Sequence, residues 1–536
     1  MTSSDPPSRR APWEFAVVGV LLAAGVAFVV ISSRRAWFEG DVWIFLVRRD
    51  AGDLLVPLGG HLVPLNLLAT RALYGIAGLD FSPLYPVVRA AAWGGFAAAA
   101  WWILRSRRTD PLVAAGVTGV LLFLGPSRWL AAWFVSNPIA LTAVVAAAHV
   151  AASCRPDRRQ TVVLGGLALV AVLSGGAGVV GVGVLTLVLA VDRRRRGLLP
   201  AVVPAIVFYA IWFAAFREGT PLEVGGGWSS AAGIPGATLE VLALAVARVI
   251  HAPEWVGWAA LPVVAAGVAL LVRAKRIDRF GAILLGSAAA YALAAAAVKV
   301  APGLSSAESS LRYSHSIIVL GLVGLAPSIA VGTARSVRIP VAAGLAVVLV
   351  VQGLWLADEL ALVEESGTRV RRDVGAAAWM VDRGEPAVDG FRMDVRAGYL
   401  GVPELEILLG DGWEPPPPAP EVERRMRGDL RVRIRRGHPS WQAADRGGLE
   451  CARLGPGETL SVVPSPDSVL RASPLGPGTL SVRWEDVFGV GIQSAPLDAT
   501  AVFLQFADAG GEAVVTLEAG DGGVRLCSIG PLGAGG

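Results

Sequence analysis

The chain has 536 residues, of which 54% are hydrophobic and only 17% carry a charge. A soluble protein of this length carries about a quarter charged residues, so the composition argues against a soluble enzyme. The net charge of +4 does not indicate nucleic-acid binding, because the basic residues fall into short clusters between apolar runs. The sequence therefore predicts a multi-pass protein of the cytoplasmic membrane, with the lipid bilayer as a partner and no nucleic acid.

A short cytoplasmic tail, residues 1–13, precedes a series of apolar stretches that predict helices. These stretches lie near residues 15–33, 85–104, 111–125, 132–152, 161–174, 176–191, 198–216, 256–272, 280–298, 313–333 and 339–357. Most are about as long as a helix must be to cross ~30 Å of hydrocarbon. They predict an all-α polytopic membrane domain over residues 14–357 with about eleven transmembrane helices.

Short basic loops between the stretches set the expected orientation. These loops hold Arg105, Arg107 and Arg108; Arg155, Arg158 and Arg159; Arg193 to Arg196; Arg273, Lys275, Arg276 and Arg279; and Arg335 and Arg338. All are cytoplasmic, together with the N-terminus, if residues 161–191 form two short helices that turn near Ser174 and Gly178. A single long helix over 161–191 would reverse the membrane orientation of every later helix and loop. We predict the hairpin, and with it a C-terminal region of about 170 residues outside.

The C-terminal region divides by composition. Residues 358–457 are predicted to be helical and linker segments, including the stiff run Pro415–Pro418. Residues 458–536 contain short β-prone runs separated by Pro, Gly and Asp turns, which predicts an extracytoplasmic β-sandwich or jelly-roll-like domain. The β-prone runs are Leu460 to Val463, Leu480 to Trp484, Val502 to Phe506, Ala513 to Leu517 and Val524 to Ser528.

Cysteine usage agrees with export of this region. Cys451 and Cys527 both lie in it, whereas Cys154 stands alone in a predicted cytoplasmic loop. A Cys451–Cys527 disulfide would close a long loop and contribute about 4 kcal/mol in the chain-entropy model. Two buried free thiols are the alternative.

Ionisable residues beside apolar stretches are the candidates for chemistry, because they are costly to place near hydrocarbon. The predicted outer loop 34–84 contains Glu39 and Asp41 directly after the first helix, then Arg48 and His61. Arg312 and Tyr313 stand at the start of the stretch 313–333. Arg89 lies inside the second stretch and must find a partner that the sequence does not name.

This layout resembles the GT-C superfamily of membrane glycosyltransferases, the protein O-mannosyltransferase-like and aminoarabinose transferase-like enzymes. The resemblance implies a polyprenyl-phosphate sugar donor and an essential acid after the first helix, which matches Asp41 with Glu39 as the alternative. It also implies a basic residue where a late helix leaves the outer surface, which matches the pair Arg312-Tyr313. The carboxylates here are separated by Gly40, whereas an adjacent acidic pair is common in the superfamily.

The resemblance implies a mechanism. Asp41 would accept the proton of the acceptor hydroxyl of a glycan, lipid or protein, and Arg312 would hold the lipid phosphate. His61 would contact the phosphate or the sugar, Arg48 would reach the donor phosphate, and Asp41 would face one outward cavity with Arg312. No cofactor is certain, and no residue set indicates a metal.

Each of these residues also has an alternative, purely structural role. Asp41 could cap a surface helix, Arg312 and Arg48 could contact lipid headgroups, and His61 could be a structural histidine. Trp413, Trp441 and Trp484 are either sandwich core or a sugar-stacking face. The rival functions are a transporter or flippase and a non-catalytic scaffold for the exported domain.

Overall fold

The computed structural model divides into two units. Met1–Ala36 and Arg49–Ser366 form the bundle unit, and Trp37–Arg48 and Gly367–Gly536 form the C-terminal unit. The structure describes residues 12–34, 37, 42–48, 51–57, 62–79, 84–124, 136–153, 157–216, 233–300, 307–330, 335–385, 387, 391, 393, 400–436, 451–462, 469–475, 478–486, 489–497, 502–506, 512–520 and 524–529.

Helices make up the bundle unit. They are α1 Pro12–Ser32, α2 Pro64–Ala77, α3 Leu84–Ser106, α4 Pro111–Leu122, α5 Ser136–Ser153, α6 Arg158–Leu173, α7 Gly176–Val191, α8 Leu199–Phe216, α9 Ile234–Val249, α10 Glu254–Arg273, α11 Arg279–Val300, α12 Ala307–Ala330 and α13 Arg335–Asp382, which continues into the C-terminal unit. Each apolar stretch of the sequence overlaps one of these helices. The prediction of a mostly helical membrane domain is confirmed, and α2 and α9 lie in segments predicted as loops.

Seven helices of the described chain are long and apolar enough to cross a membrane. They are Pro12–Ser32, Leu84–Ser106, Ser136–Ser153, Arg196–Phe216, Glu254–Arg273, Arg279–Ala297 and Ile339–Asp382. Pro111–Leu122, Gly176–Val191 and Tyr313–Ile329 are apolar but shorter. A helix of twelve residues rises only ~18 Å, short of the ~30 Å hydrocarbon layer. The count of about eleven spans therefore stays a prediction.

The segment 161–191 is two helices, as predicted. α6 ends at Leu173, α7 begins at Gly176, and Gly175 between them adopts a φ of 125° that favours glycine. The helices cross closely beyond the turn, because a Cβ added to Gly178 would lie 1.8 Å from the carbonyl oxygen of Ala171. The hairpin therefore requires glycine at both 175 and 178.

Polar contacts join the basic loops at one end of the bundle unit, which we call the basic end. Arg107 pairs with Asp278 and donates from Nη1 to the Ser153 hydroxyl at 3.0 Å. Arg279 pairs with Asp192 at 2.6 Å. The loops that follow α3, α5, α7 and α10 thus lie together, which a single long helix over 161–191 would not allow.

A buried ion pair brings the start of α1 to the same end. Arg105 at the end of α3 donates from Nε to Glu14 at 2.8 Å and from Nη2 to its second oxygen at 3.1 Å. Both side chains are about nine-tenths buried, so the pair is little screened by water. It fixes α1 antiparallel to α3, which packs against it.

Two antiparallel sheets form the β-rich part of the C-terminal unit. Their strands are β1 Val432–Arg436, β2 Cys451–Leu454, β3 Thr459–Val462, β4 Val469–Pro474, β5 Gly478–Asp486, β6 Gly489–Leu497, β7 Val502–Phe506, β8 Glu512–Gly520 and β9 Val524–Ile529. One sheet has the order β1-β7-β4-β9-β2 and the other β3-β8-β5-β6. Leu454, Leu504 and Leu526 of the first sheet share one buried core with Leu480 and Val515 of the second. The predicted sandwich is therefore present, and β1 and β2 precede residue 458.

Two further helices, α14 Val402–Gly410 and α15 Pro420–Arg431, belong to the C-terminal unit. Arg427 of α15 is buried and binds both oxygens of Glu385 at 3.0 Å, and it also donates to Glu423 at 2.8 Å. The hydrogen bonds to Glu385 raise the pKa of Arg427 despite its burial. This network ties α15 to the segment that follows α13.

We expect Gly178→Ala to destabilise the bundle unit by about 1–3 kcal/mol, because the new Cβ forces the backbones of α6 and α7 apart. Gly183→Ala in the same helix is the matched control, since nothing lies within 4 Å of its Cβ position. Thermal unfolding of both variants in detergent measures the difference. Equal midpoints would show that the crossing is looser than described.

Candidate functional site

The structure leaves most of the predicted site residues untested. Glu39, Asp41 and His61 lie outside the described residues. Arg48 ends a short π-helical turn over Ile44–Arg48, and Arg312 lies in α12, but neither side chain is among those described. Their roles stay predictions.

The ring of Tyr313 is described. It is buried in the bundle and packs edge-on against Tyr291 of α11, with 5.8 Å between the ring centres.

Three tryptophans in the C-terminal unit, which we call the tryptophan cluster, flank the acidic segment. Trp37 packs edge-on against Trp43 at 5.2 Å, and Trp413, which follows α14, packs against Trp37 at 6.3 Å. Trp37 and Trp43 are buried, and the π-helical turn packs on α14. The chain that enters the acidic segment 38–41 and the chain that leaves it are therefore both held by this unit. Trp441 and the Trp484 side chain lie outside the described positions, so a sugar-stacking face stays untested.

Polar groups of α3 and α12 are buried in the bundle unit without hydrogen-bond partners among the described residues. Arg89 of α3 is 3% exposed, and its Nη1 has no hydrogen-bond partner among the described residues. Trp93, one turn further along α3, packs edge-on against the imidazole of His315 at 4.7 Å. His315 is fully buried, and both of its ring nitrogens and the Ser316 hydroxyl lack partners in the described chain. We call Arg89, Trp93, His315 and Ser316 the buried polar cluster.

Helix directions place this cluster away from the basic end. Arg89 precedes Arg105 in α3 by sixteen residues, or about 24 Å of helix, and Arg105 marks the basic end through its pair with Glu14. α11 leaves the basic end at Arg279, so α12 returns from the far end, where His315 lies. The cluster therefore occupies the end opposite the basic loops. Arg312 precedes His315 by three residues in the same helix.

The buried polar cluster is energetically unusual. A buried guanidinium without an acceptor costs several kcal/mol, and buried polar groups in native proteins are nearly always paired. A bound phosphate would offer acceptor oxygens to the guanidinium of Arg89. The same oxygens could accept hydrogen bonds from the imidazole and from the Ser316 hydroxyl. In the sequence, Arg89 was visible as an ionisable residue inside a span. His315 was not separable from the neighbouring polar residues.

Metal binding finds no support in the described part of the chain. No group of three or more His, Cys, Asp or Glu side chains there is placed to hold a metal ion. The basic end holds paired charges, and the buried polar cluster holds an imidazole and a guanidinium without a carboxylate.

Comparison with known proteins gives one match among solved structures. No family model matches the chain, and no curated protein matches it. The chain is similar to the crystal structure of ArnT from Cupriavidus metallidurans in the apo state, with 15% sequence identity and a TM-score of 0.42, over 80% of this chain and 94% of that one.

We expect opposite effects from two Arg→Met changes in α3. Arg89→Met removes a buried charge whose Nη1 has no partner among the described residues, and it should stabilise the ligand-free protein by about 1–3 kcal/mol. Arg105→Met leaves Glu14 buried without its partner and should destabilise it by about 3–5 kcal/mol. Thermal unfolding midpoints in detergent, without added ligand, measure both. A loss of stability in Arg89→Met as large as in Arg105→Met would mean that Arg89 is already paired.

Proposed function

We propose that the chain is a membrane glycosyltransferase of the GT-C type, which moves a sugar from a polyprenyl-phosphate donor to a glycan, lipid or protein outside the cytoplasmic membrane. The observation that carries the proposal is the buried polar cluster at the end of the bundle opposite the basic loops, where Nη1 of Arg89 and both ring nitrogens of His315 have no hydrogen-bond partner among the described residues.

A lipid-linked phosphate suits this cluster better than a soluble anion. The polyprenyl chain partitions into hydrocarbon beside the helices, so its phosphate arrives at the level of the helix ends. Arg89 offers a planar fork of donors that matches phosphate oxygens, and exclusion of water strengthens each bond. Arg312, with Tyr313, Arg48 and His61, completes the donor site in this proposal. Negative charge develops on the lipid phosphate as it leaves the sugar, and fixed donors stabilise that charge in the transition state.

Asp41 is the proposed base, with Glu39 as the alternative. Inverting transfer needs a carboxylate that accepts the proton of the acceptor hydroxyl as the oxygen attacks the anomeric carbon. The tryptophan cluster supports this role, because Trp37 and Trp43 anchor the chain on both sides of the acidic segment. Fixed geometry of that kind is what a general base requires.

The rival functions fit the observations less well. In a transporter, polar groups gather near the middle of the bilayer, whereas Arg89 lies in the second turn of α3. A scaffold gains nothing from a buried arginine such as Arg89, whose Nη1 has no acceptor among the described residues and so lowers stability.

We propose that the membrane domain has eleven spans, with the basic end in the cytoplasm. The orders β2-β9-β4-β7 and β3-β8-β5-β6 are those of an eight-stranded jelly roll, to which β1 adds an edge strand. The extracytoplasmic domain is then a jelly roll.

Transfer from a panel of radiolabelled polyprenyl-phosphate sugars tests the chemistry. We expect Asp41→Asn to lower kcat by about 10²–10⁴-fold, since the amide cannot take the proton. Asp53→Asn, in the same loop, is the control and should keep wild-type turnover. Equal turnover of Asp41→Asn and wild type removes Asp41 from the base role. A loss of turnover in Glu39→Gln, with none in Asp41→Asn, assigns the role of base to Glu39.

The tryptophan cluster leads to a separate prediction about the rate of transfer. Trp413→Ala should lower kcat at least about 10-fold, because a misplaced base slows the chemical step. Trp413→Phe should restore most of the rate.

A second readout of the same variants does not depend on activity. Trypsin should cleave at Arg48 and Arg49 of the purified protein faster in Trp413→Ala than in wild type. The exposed Trp258, in α10 of the bundle unit, gives the control variant Trp258→Ala. Unchanged cleavage in Trp413→Ala would show that Trp413 does not hold the acidic segment.

A further inference from the structure

Two of the three cysteines of the chain stand opposite each other across a pair of strands. Cys451 in β2 and Cys527 in β9 are direct partners in an antiparallel register. We propose that they form a disulfide that ties β2 to the rest of the sandwich. This inference does not depend on the proposed transferase activity.

The backbone geometry meets the requirement of a disulfide. Directly opposite residues of antiparallel strands have Cα atoms about 4.5 or 5.5 Å apart, and disulfides join Cα atoms about 4.4–6.8 Å apart. No backbone movement is therefore needed to join these two positions.

The register is fixed by the core. Leu454 of β2 pairs with Val524 of β9, and both side chains are buried in the sandwich. Leu526, also buried, pairs with Ala452. A slip of one residue would turn the apolar side chains of a strand to the opposite face. The opposition of Cys451 and Cys527 is therefore held by packing.

The position of β2 explains what the bond would do. β2 is only four residues long and lies at the edge of its sheet, with β9 as its one neighbour. A short edge strand is the easiest part of a sheet to detach. The bond would also close a loop that contains β2 to β9, and so restrict the unfolded chain most strongly where the sandwich lies.

The chemistry is a two-electron oxidation. Each thiol loses a proton, the two sulfurs form one bond, and the two electrons reduce the disulfide of a thiol–disulfide oxidoreductase to a dithiol. Such oxidants act outside the cytoplasm. Cys154 follows Ser153, which contacts Arg107 at the basic end, so it should stay a thiol if that end is cytoplasmic. The chain thus contains its own control.

Thiol trapping tests the proposal directly. Cells are treated with a permeant maleimide before lysis, and the purified chain is then denatured, digested with and without reductant, and analysed by mass spectrometry. We expect Cys154 to carry maleimide in every sample. Cys451 and Cys527 should be unmodified, in one linked peptide that reduction separates. Denaturation followed by a second, isotopically distinct maleimide detects buried thiols. Labelling of Cys451 and Cys527 at that step, without reductant, overturns the proposal.

Stability provides the second measurement. Cys451→Ser and Cys527→Ser should each lower the unfolding midpoint of the C-terminal unit by about 10 °C, and the double variant by no more than either single one. Reductant should lower the wild-type midpoint similarly and leave the variants unchanged. Additive losses, or a wild type indifferent to reductant, would mean two free thiols and reject the bond.

Discussion

The cost of placing a charge in an apolar environment is the constraint on which this structure depends. At the basic end Arg105 pairs with the buried carboxylate of Glu14. This pair and the ion pairs of the neighbouring loops join helix ends that are distant in the sequence and so fix the helix directions. At the far end Arg89 is buried, and its Nη1 has no partner among the described residues. A protein retains such a charge where a ligand completes it, which is the physical basis for the proposed donor site.

The division into two units changes how the acidic segment is understood. In the sequence it belongs to the loop after α1, yet Trp37–Arg48 groups with the C-terminal residues. Trp413, more than 350 residues later, packs on Trp37. If Asp41 is the base, as proposed, holding the chain on both of its sides gives the C-terminal unit a catalytic reason to exist. That reason does not require the sandwich itself to bind substrate.

Much of the helical architecture could be predicted because hydrocarbon demands long apolar stretches, and basic residues mark their cytoplasmic ends. The hairpin at Gly175 was predictable for the same reason, since one long helix would place Arg193 to Arg196 on the wrong side. β3, β5, β7, β8 and β9 were visible as β-prone runs. β1 was not, because its residues, Val432 to Arg436, are rich in arginine and take their partner from β7.

The candidate site, too, could be predicted only in part from the sequence. The sequence by itself determined that the chain spans a membrane, where its charges gather, and that Arg89 is an ionisable residue within a span, because each follows from local composition. Only the tertiary structure decided that His315 packs edge-on against Trp93 one turn from Arg89, and that Cys451 and Cys527 are opposite each other in the strand register. These pairs join segments that are distant in the chain, and packing of the intervening helices and strands, which no local pattern encodes, brings them together.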